Sequence, residues 1–230
     1  MRVLTMNRPD KRNALNTALT RALLEGLRAA DAAEAVRCVV LTGAGQGFCA
    51  GADLSEFKDF KPENARLVEE RAELTMQLHL AFPKMAKPVV TAINGAAMGG
   101  GAGLALAGDL AVMAESAKLG YPETRHGIVA AIVMANLVRQ AGRKLAFELV
   151  SLGEPLTSRR ALEAGLVNRV VPDRDVVSQA VEAAKRLSEL DPQSIQATKR
   201  LFHEAADLPL EEALKRGRDT NQRMRGFRKA

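Results

Sequence analysis

The sequence predicts an α/β fold with a mostly parallel sheet, followed by a mainly helical C-terminal region. Three observations carry this. Short apolar runs alternate with stretches of helical periodicity over the first 115 residues or so. Glycine-rich segments stand where a strand hands over to a helix. After about residue 143 helix-start signals dominate. A length of 230 residues suits one α/β domain with a substantial core, with room for a small helical appendage.

In order, Val3 to Met6 reads as a short strand, and NRPDKRN (7–13) as a loop broken by Pro9. Ala14 to Ala30 carries Leu15, Leu19, Leu23, Leu24 and Leu27 at helical spacing. Val36 to Thr42 is a buried strand by its continuous apolar run, and GAGQG (43–47) is a loop. Pro62 to Phe82 is a second helix, with Pro62 suited to its first turn and Leu67, Leu74, Leu78 and Phe82 on one stripe. Pro88 to Ile93 is a strand, NGAAMGGGAG (94–103) leads into an apolar helix, and Asp109 to Ala114 is a strand again. This alternation implies right-handed βαβ units. Thr157 caps a helix that stops at Gly165, and LVNRVV (166–171) is a last strand. Asp173 is expected to cap the next helix, and Pro192 and Pro209 mark two further starts. The expected division is an α/β core over 1–170 and a helical region over 171–230.

The net charge is +6, from 33 Lys and Arg against 27 Asp and Glu. A basic balance favours RNA, DNA, acidic lipids or phosphorylated cofactors, and it equally describes an Arg-rich solvated surface. The absence of Trp and the single Tyr argue against a platform that stacks bases. Cys38 and Cys49 form neither a CxxC nor a Cys/His cluster, so neither a disulfide framework nor a metal site is expected, and Cys38 reads as a buried small hydrophobe. No signal segment and no spanning apolar window is evident, so a cytoplasmic location is expected.

Three segments are candidates for chemistry: FCAGADLSEF (48–57), INGAAMGGGAGLALAGDL (93–110) and AKLGYPETRHGIV (117–129). Gly99, Gly100 and Gly101 let a ligand approach the main chain at a helix N-terminus, whose free N–H groups suit an oxyanion or a phosphate. Tight helix–strand packing is the competing reading. A dinucleotide fingerprint fails at Phe48 in GAGQGF, and the run from Gly99 through Gly101 fails at Leu104. There is no phosphate loop of the G-x-x-x-x-G-K-[ST] type and no G-x-S-x-G elbow.

These segments resemble those of the enoyl-CoA hydratase/isomerase (crotonase) family. GFCAGADLSEF resembles the stretch whose alanine N–H forms half of an oxyanion hole, and NGAAMGGGAGLALAGDL the stretch whose glycine supplies the other half. KLGYPETRHGIV resembles the family's Pro-Glu segment, and NRPDKRNALN (7–16) and LTSRRALEAGLVNRVV (156–171) two further landmarks. The match spans roughly residues 3 to 200 in family order. It implies a crotonase-like spiral of βαβ units, with a C-terminal region that assembles trimers or pairs of trimers. It implies donors at the N–H groups of Ala52 and Gly100, and Glu123 as the acid/base. Lys11, Arg12, Ala14, Ala50, Asp53, Leu54, Gly99 and Gly103 would line the acyl-CoA site, with Arg228 a further partner for CoA phosphates. The CoA thioester is then the substrate, and no resident cofactor or metal is expected.

One departure bears on the reaction. Many family hydratases carry a second glutamate where this chain has Gly103. Asp53, Glu56 and His126 are the candidate substitutes. A single carboxylate suffices for an enoyl-CoA isomerase, whereas hydration needs a second group to orient water. The resemblance nevertheless leans to a hydratase, with an isomerase as alternative. RNA binding through KRGR (215–218) and RMRGFRK (223–229) is a third reading, less favoured. A glutamate introduced at Gly103 is expected to fit the helix and to raise hydration. The chain starts inside the region of the family's first strand, and NQRMRGFRKA (221–230) departs from the family pattern, both of which bear on the CoA pocket.

Overall fold

The computed structural model describes residues 1–226. In chain order it forms β1 (Arg2–Met6), α1 (Thr17–Ala32), β2 (Val39–Gly43), β3 (Gly47–Cys49), α2 (Ala65–Lys84), β4 (Val89–Ile93), β5 (Ala96–Met98), α3 (Gly100–Ala107), β6 (Leu110–Ala114) and β7 (Lys118–Gly120). It continues with α4 (Ala131–Leu152), β8 (Leu156–Thr157), α5 (Ser158–Glu163), β9 (Arg169–Val171), α6 (Val176–Glu189), α7 (Pro192–Ala206) and α8 (Leu210–Gly226).

Two sheets run side by side. The larger has the order β1-β2-β4-β6-β9 and is parallel throughout; the smaller has the order β3-β5-β7-β8 and is parallel except for its last pair. The long strands β2, β4 and β6 are each followed at once by a short strand in the other sheet. Each circuit therefore deposits one strand in each sheet, and a helix closes the first two circuits. This is the expected spiral, but its unit is β-β-α rather than a plain βαβ. The short strands Gly47–Cys49, Ala96–Met98 and Lys118–Gly120 lie in segments that do not read as strands, because three residues hold too few positions to show a period of two.

The main strands read as unbroken apolar runs because both faces are covered. Every residue of β2 and β4 is buried. Cys38 is fully buried, as its apolar setting predicts, and burial pushes its thiol up to about 12. The first helix begins three residues later than its periodicity suggests. Asn16 caps it by accepting from the Leu19 N–H, while Leu15 is drawn off into a bridge with Ala52. Thr157 caps α5 as expected, accepting from the Arg160 N–H. Asp173 does not cap α6; it accepts instead from Ser116, from both its N–H and its hydroxyl. α6 packs across β2, β4 and β6, so the cover of the sheet includes the first helix past the expected division at 170.

One buried polar cluster fastens α7 to the sheet. Asp109 accepts from the Val89 N–H (2.7 Å), Lys199 Nζ (2.8 Å) and His203 Nε2 (3.1 Å). Burial alone would raise its pKa, but these bonds outweigh burial and hold the carboxyl below its ordinary value. Lys199→Met should therefore leave a buried carboxylate short of its cation. The expected loss is about 3 kcal/mol, or about 6–12 °C in a thermal melt at neutral pH. The difference from wild type should narrow in acid, as Asp109 takes up its proton.

Candidate active site

The site is built from four pieces of chain. The first is the loop after β1, where a 3-10 turn spans Pro9–Lys11. Buried Asn13 stitches this loop to two others, donating from Nδ2 to Ala44 O and Gly47 O, both at 2.9 Å. Its Oδ1 accepts from the Arg8 N–H at 2.9 Å. Arg8 in turn donates to Ala14 O (2.6 Å) and Asp53 (2.9 Å). Lys11 and Arg12 stand exposed here, and Arg12 O accepts from the Ala50 N–H at 2.9 Å.

The second piece is the segment after β3. Leu15 donates to Gly51 O (2.7 Å) and accepts from the Asp53 N–H (3.1 Å). In this parallel bridge the N–H of Ala52, between them, points to the other side. Gly51 has φ +93°, and a Cβ there would stand 2.7 Å from Met98 O and 3.5 Å from Gly100 N. Only glycine allows this approach. Asp53 caps the following turn through Ser55, and Leu54 lies exposed beside it.

The third piece is the start of α3. Gly99 precedes it with φ +51°, and its N–H goes to Gly120 O at 2.8 Å. The Gly100 N–H is the first of the helix and has no acceptor behind it. A Cβ on Gly100 would lie 3.9 Å from Ala52 N, so the two N–H groups are neighbours. Gly101 is closed in by Cys49, whose carbonyl a Cβ would strike.

The fourth piece carries Glu123, on a 3-10 turn over Pro122–His126 that starts with Pro122 and ends at Gly127. The turn is tied to the end of α4 by Thr124 Oγ1 to Ser151 O (3.2 Å) and Arg125 Nε to Leu152 O (3.1 Å). Glu123 Oε1 would lie 2.7 Å from a Cβ on Gly99, which puts the carboxyl over the entrance to α3. Its Oε2 is buried and has no hydrogen-bond partner. Burial raises the carboxyl's pKa; the backbone N–H of Glu123 and the charge of His126 oppose this more weakly.

Ala52, Gly99, Gly100 and Glu123 are thus brought together, with Ala14, Ala50, Asp53 and Leu54 along one adjoining edge. Lys11 and Arg12 stand at the outer end of that edge. Arg228 lies outside the described residues, as does the end of RMRGFRK. Of the three candidate substitutes for a second carboxylate, two are otherwise engaged and the third is exposed. Asp53 is held by Arg8 and Ser55. Glu56 accepts from Thr17, by N–H and hydroxyl, and faces Arg71 at 3.6 Å. His126 is exposed.

Gly103 corrects an expectation. It is buried, and a Cβ on it would lie 2.5 Å from Val133 Cγ1 and 2.7 Å from His79 Cε1. A glutamate there would have to displace the Val133 or His79 side chain. His79, on α2, fills part of that space; its ring Nε2 is buried and unpartnered. The hydroxyl of fully buried Tyr121 is also unpartnered, and burial together with the charge of Glu123 raises its pKa. Neither residue stands out in the sequence. Tyr121 sits within YPET and carries a signal only once Glu123 is read as a site residue; His79 gives no local signal.

No group of three or more His, Cys, Asp or Glu is placed to hold a metal ion among the described residues. No described helix is long and apolar enough to cross a membrane. A cavity of about 570 Å³ between the end of α2, α7 and α8 shares no residue with this site.

Two sheets wound as one spiral, with glycine turns facing the half-buried carboxyl of Glu123, define a crotonase-type fold. The sequence profile of the enoyl-CoA hydratase/isomerase family matches residues 1–226, and the chain belongs to that family of enzymes. It is 37% identical over 213 residues to the 2,3-dehydroadipyl-CoA hydratase of Escherichia coli K12, covering 92% of this chain and 82% of that protein. It is 36% identical to the 1,2-epoxyphenylacetyl-CoA isomerase of the same organism, covering 80% and 71%. The crystal structure of an enoyl-CoA hydratase from Bacillus anthracis superposes with a TM-score of 0.90 at 32% identity, covering 96% of this chain and 85% of that one.

Proposed function

We propose that the protein hydrates a 2-enoyl-CoA thioester, with the N–H groups of Ala52 and Gly100 as an oxyanion hole and Glu123 as the acid/base. The observation that carries this reading is the buried, unpartnered oxygen of Glu123 beside two neighbouring main-chain donors. Addition at the β-carbon moves charge onto the thioester oxygen, and each preorganised donor aimed at that oxygen is worth about 3–4 kcal/mol. Glu123, its basicity raised by burial, takes a proton from water and delivers it to the α-carbon. Lys11 and Arg12 are the proposed contacts for CoA phosphates. No resident cofactor enters this scheme.

A second reading is supported by Gly103: with one carboxylate, the same site can shift a double bond between the α,β and β,γ positions. Incubating the protein with 2-enoyl-CoA and 3-enoyl-CoA thioesters of several lengths separates the two. Hydration adds the mass of one water to the 2-enoyl substrates, and isomerisation converts 3-enoyl to 2-enoyl at constant mass. The RNA reading has little support from α8, where Lys215 pairs with Glu211 and Glu212 and Arg218 with Asp219.

The proposed assembly is a trimer or hexamer. Phe147, Phe202, Leu210 and Leu214 stand largely exposed on α4, α7 and α8, where a second copy would bury them. Light scattering should return three or six times the 24.7 kDa chain mass; a stable monomer at micromolar concentration contradicts this.

A further inference from the structure

The two donors of the proposed oxyanion hole differ in what stands behind them. The Gly100 N–H opens α3, so the aligned peptides of that helix reinforce its positive end. The Ala52 N–H belongs to no helix. Ala52 is held in the bridge with Leu15, is exposed, and donates to no described residue. A donor aimed at developing negative charge is stronger when its own peptide group accepts a further hydrogen bond at the carbonyl end. The bonds behind Ala52 therefore bear on the chemistry.

Traced back from Ala52, these bonds form an unbroken line. The Ala52 N–H shares its peptide group with Gly51 O, which accepts from the Leu15 N–H at 2.7 Å. The Leu15 N–H shares its peptide group with Ala14 O, which accepts from Arg8 Nη1 at 2.6 Å. The Asn16 N–H reaches the same oxygen at 3.1 Å, without a charge. The line thus begins at a guanidinium and ends at the Ala52 N–H. Both peptide groups between them turn the carbonyl toward the cation and the N–H toward the site. Asp53 Oδ2 fixes Arg8 Nη1 at 2.9 Å, and with side chains 26% and 11% exposed the pair is largely withdrawn from water. Asp53 offsets part of the positive charge, but its other oxygen is shared by the Ser55 N–H and hydroxyl. Of the two bonds from Nη1, the one to Ala14 is the shorter.

We propose that Arg8 is a positioning residue of the oxyanion hole, and that its cation polarises the Ala52 N–H through these two peptide groups. This rests on the oxyanion-hole reading above. Arg8 acts through the main chain and needs no contact with the substrate. As charge gathers on the thioester oxygen, both peptide groups polarise along the line, and the guanidinium stabilises the displaced charge at the far end without moving a proton. The two halves of the hole are then matched, with a helix terminus behind Gly100 and a side-chain cation behind Ala52. One such donor is worth about 10²–10³-fold in rate, and each polarising bond strengthens the next by about 10–30%, so Arg8 should contribute about 3- to 30-fold.

The test uses the full chain with Arg8→Met, Arg8→Gln and Arg8→Lys, in two measurements. One is the kinetics of crotonyl-CoA hydration. The other is the carbon-13 resonance of butyryl-CoA labelled at the thioester carbonyl, which moves downfield when donors draw charge onto the oxygen. Butyryl-CoA has no double bond to hydrate, so this signal reads the donors alone. Met removes both charge and donor, Gln is too short to reach Ala14 O, and Lys keeps a cation that reaches it. The Met and Gln variants should lower kcat by about 3- to 30-fold with KM within about 3-fold of wild type, and the downfield displacement on binding should shrink alongside. Lys should recover most of both. If the Met variant does not fold, the Gln and Lys pair decides the matter. Lower melting temperatures in Met and Gln with wild-type kcat and displacement overturn the proposal and leave Arg8 as a loop anchor. A higher KM with kcat and displacement unchanged also overturns it, and places Arg8 among the contacts to CoA. A wild type that shows no downfield displacement removes the oxyanion-hole reading and this proposal together, while a failure confined to the Arg8 variants leaves that reading standing.

Discussion

Glu123→Gln is expected to lower kcat on the enoyl-CoA substrate by at least about 10²-fold, the low end for loss of a general acid–base group. The amide keeps the shape of the side chain and cannot carry the proton. The same variant should be more stable than wild type at neutral pH. Burial raises the folded-state pKa of Glu123 above its unfolded value of about 4.3. The folded state therefore binds the proton more tightly, and ionisation weakens it progressively as pH rises through these two values. Glutamine carries no such cost. Melts of the two proteins should separate at pH 7, with the variant higher, and converge below about pH 4. A fully active variant removes Glu123 from the chemistry; equal melting at both pH values removes the argument from desolvation.

Gly103→Glu is expected to damage the fold rather than to add a second carboxylate. The new Cβ alone would meet Val133 and His79 at 2.5 and 2.7 Å. Overpacking of this kind costs about 1–3 kcal/mol, and an unpaired carboxylate buried beside it adds several more. The gain in helix propensity over glycine, about 1 kcal/mol, does not offset this. A melting temperature lower by about 6 °C or more is expected, corresponding to at least about 3 kcal/mol, with hydration lost alongside. A variant that melts with wild type and hydrates faster would mean that α2 and α4 yield to the new side chain.

The contrast between these two positions shows how far the sequence is legible. Glu123, Ala52 and Gly100 were named from motifs that resemble the family's, and the structure brings the three together through their neighbours. Pro122 starts the turn, Gly51 and Gly99 allow conformations that other residues avoid, and Glu123, Ala52 and Gly100 each sit in a short contiguous motif. The main strands were legible for a similar local reason, since burial on both faces gives unbroken apolar runs such as Val39–Gly43. The smaller sheet was not, because its three-residue strands are held by pairing with one another and not by their own pattern. α4 was missed too, its Ala131–Leu152 span interrupted at Gly142, where φ is +70°. Gly103 looked like open helix surface because what fills its space, His79 and Val133, comes from α2 and α4. That packing arises only when those helices close over α3, which no window along the chain contains.

The central claim is that this site moves a proton between water and the α-carbon of a CoA thioester through a stabilised enolate. Incubating the wild-type protein with crotonyl-CoA in deuterium oxide, and reading the product by mass and proton resonance, tests it most directly. The account predicts a 3-hydroxyacyl-CoA carrying one deuterium at the α-carbon. Recovery of crotonyl-CoA unchanged, with no hydrated product and no deuterium in the acyl chain, would contradict it.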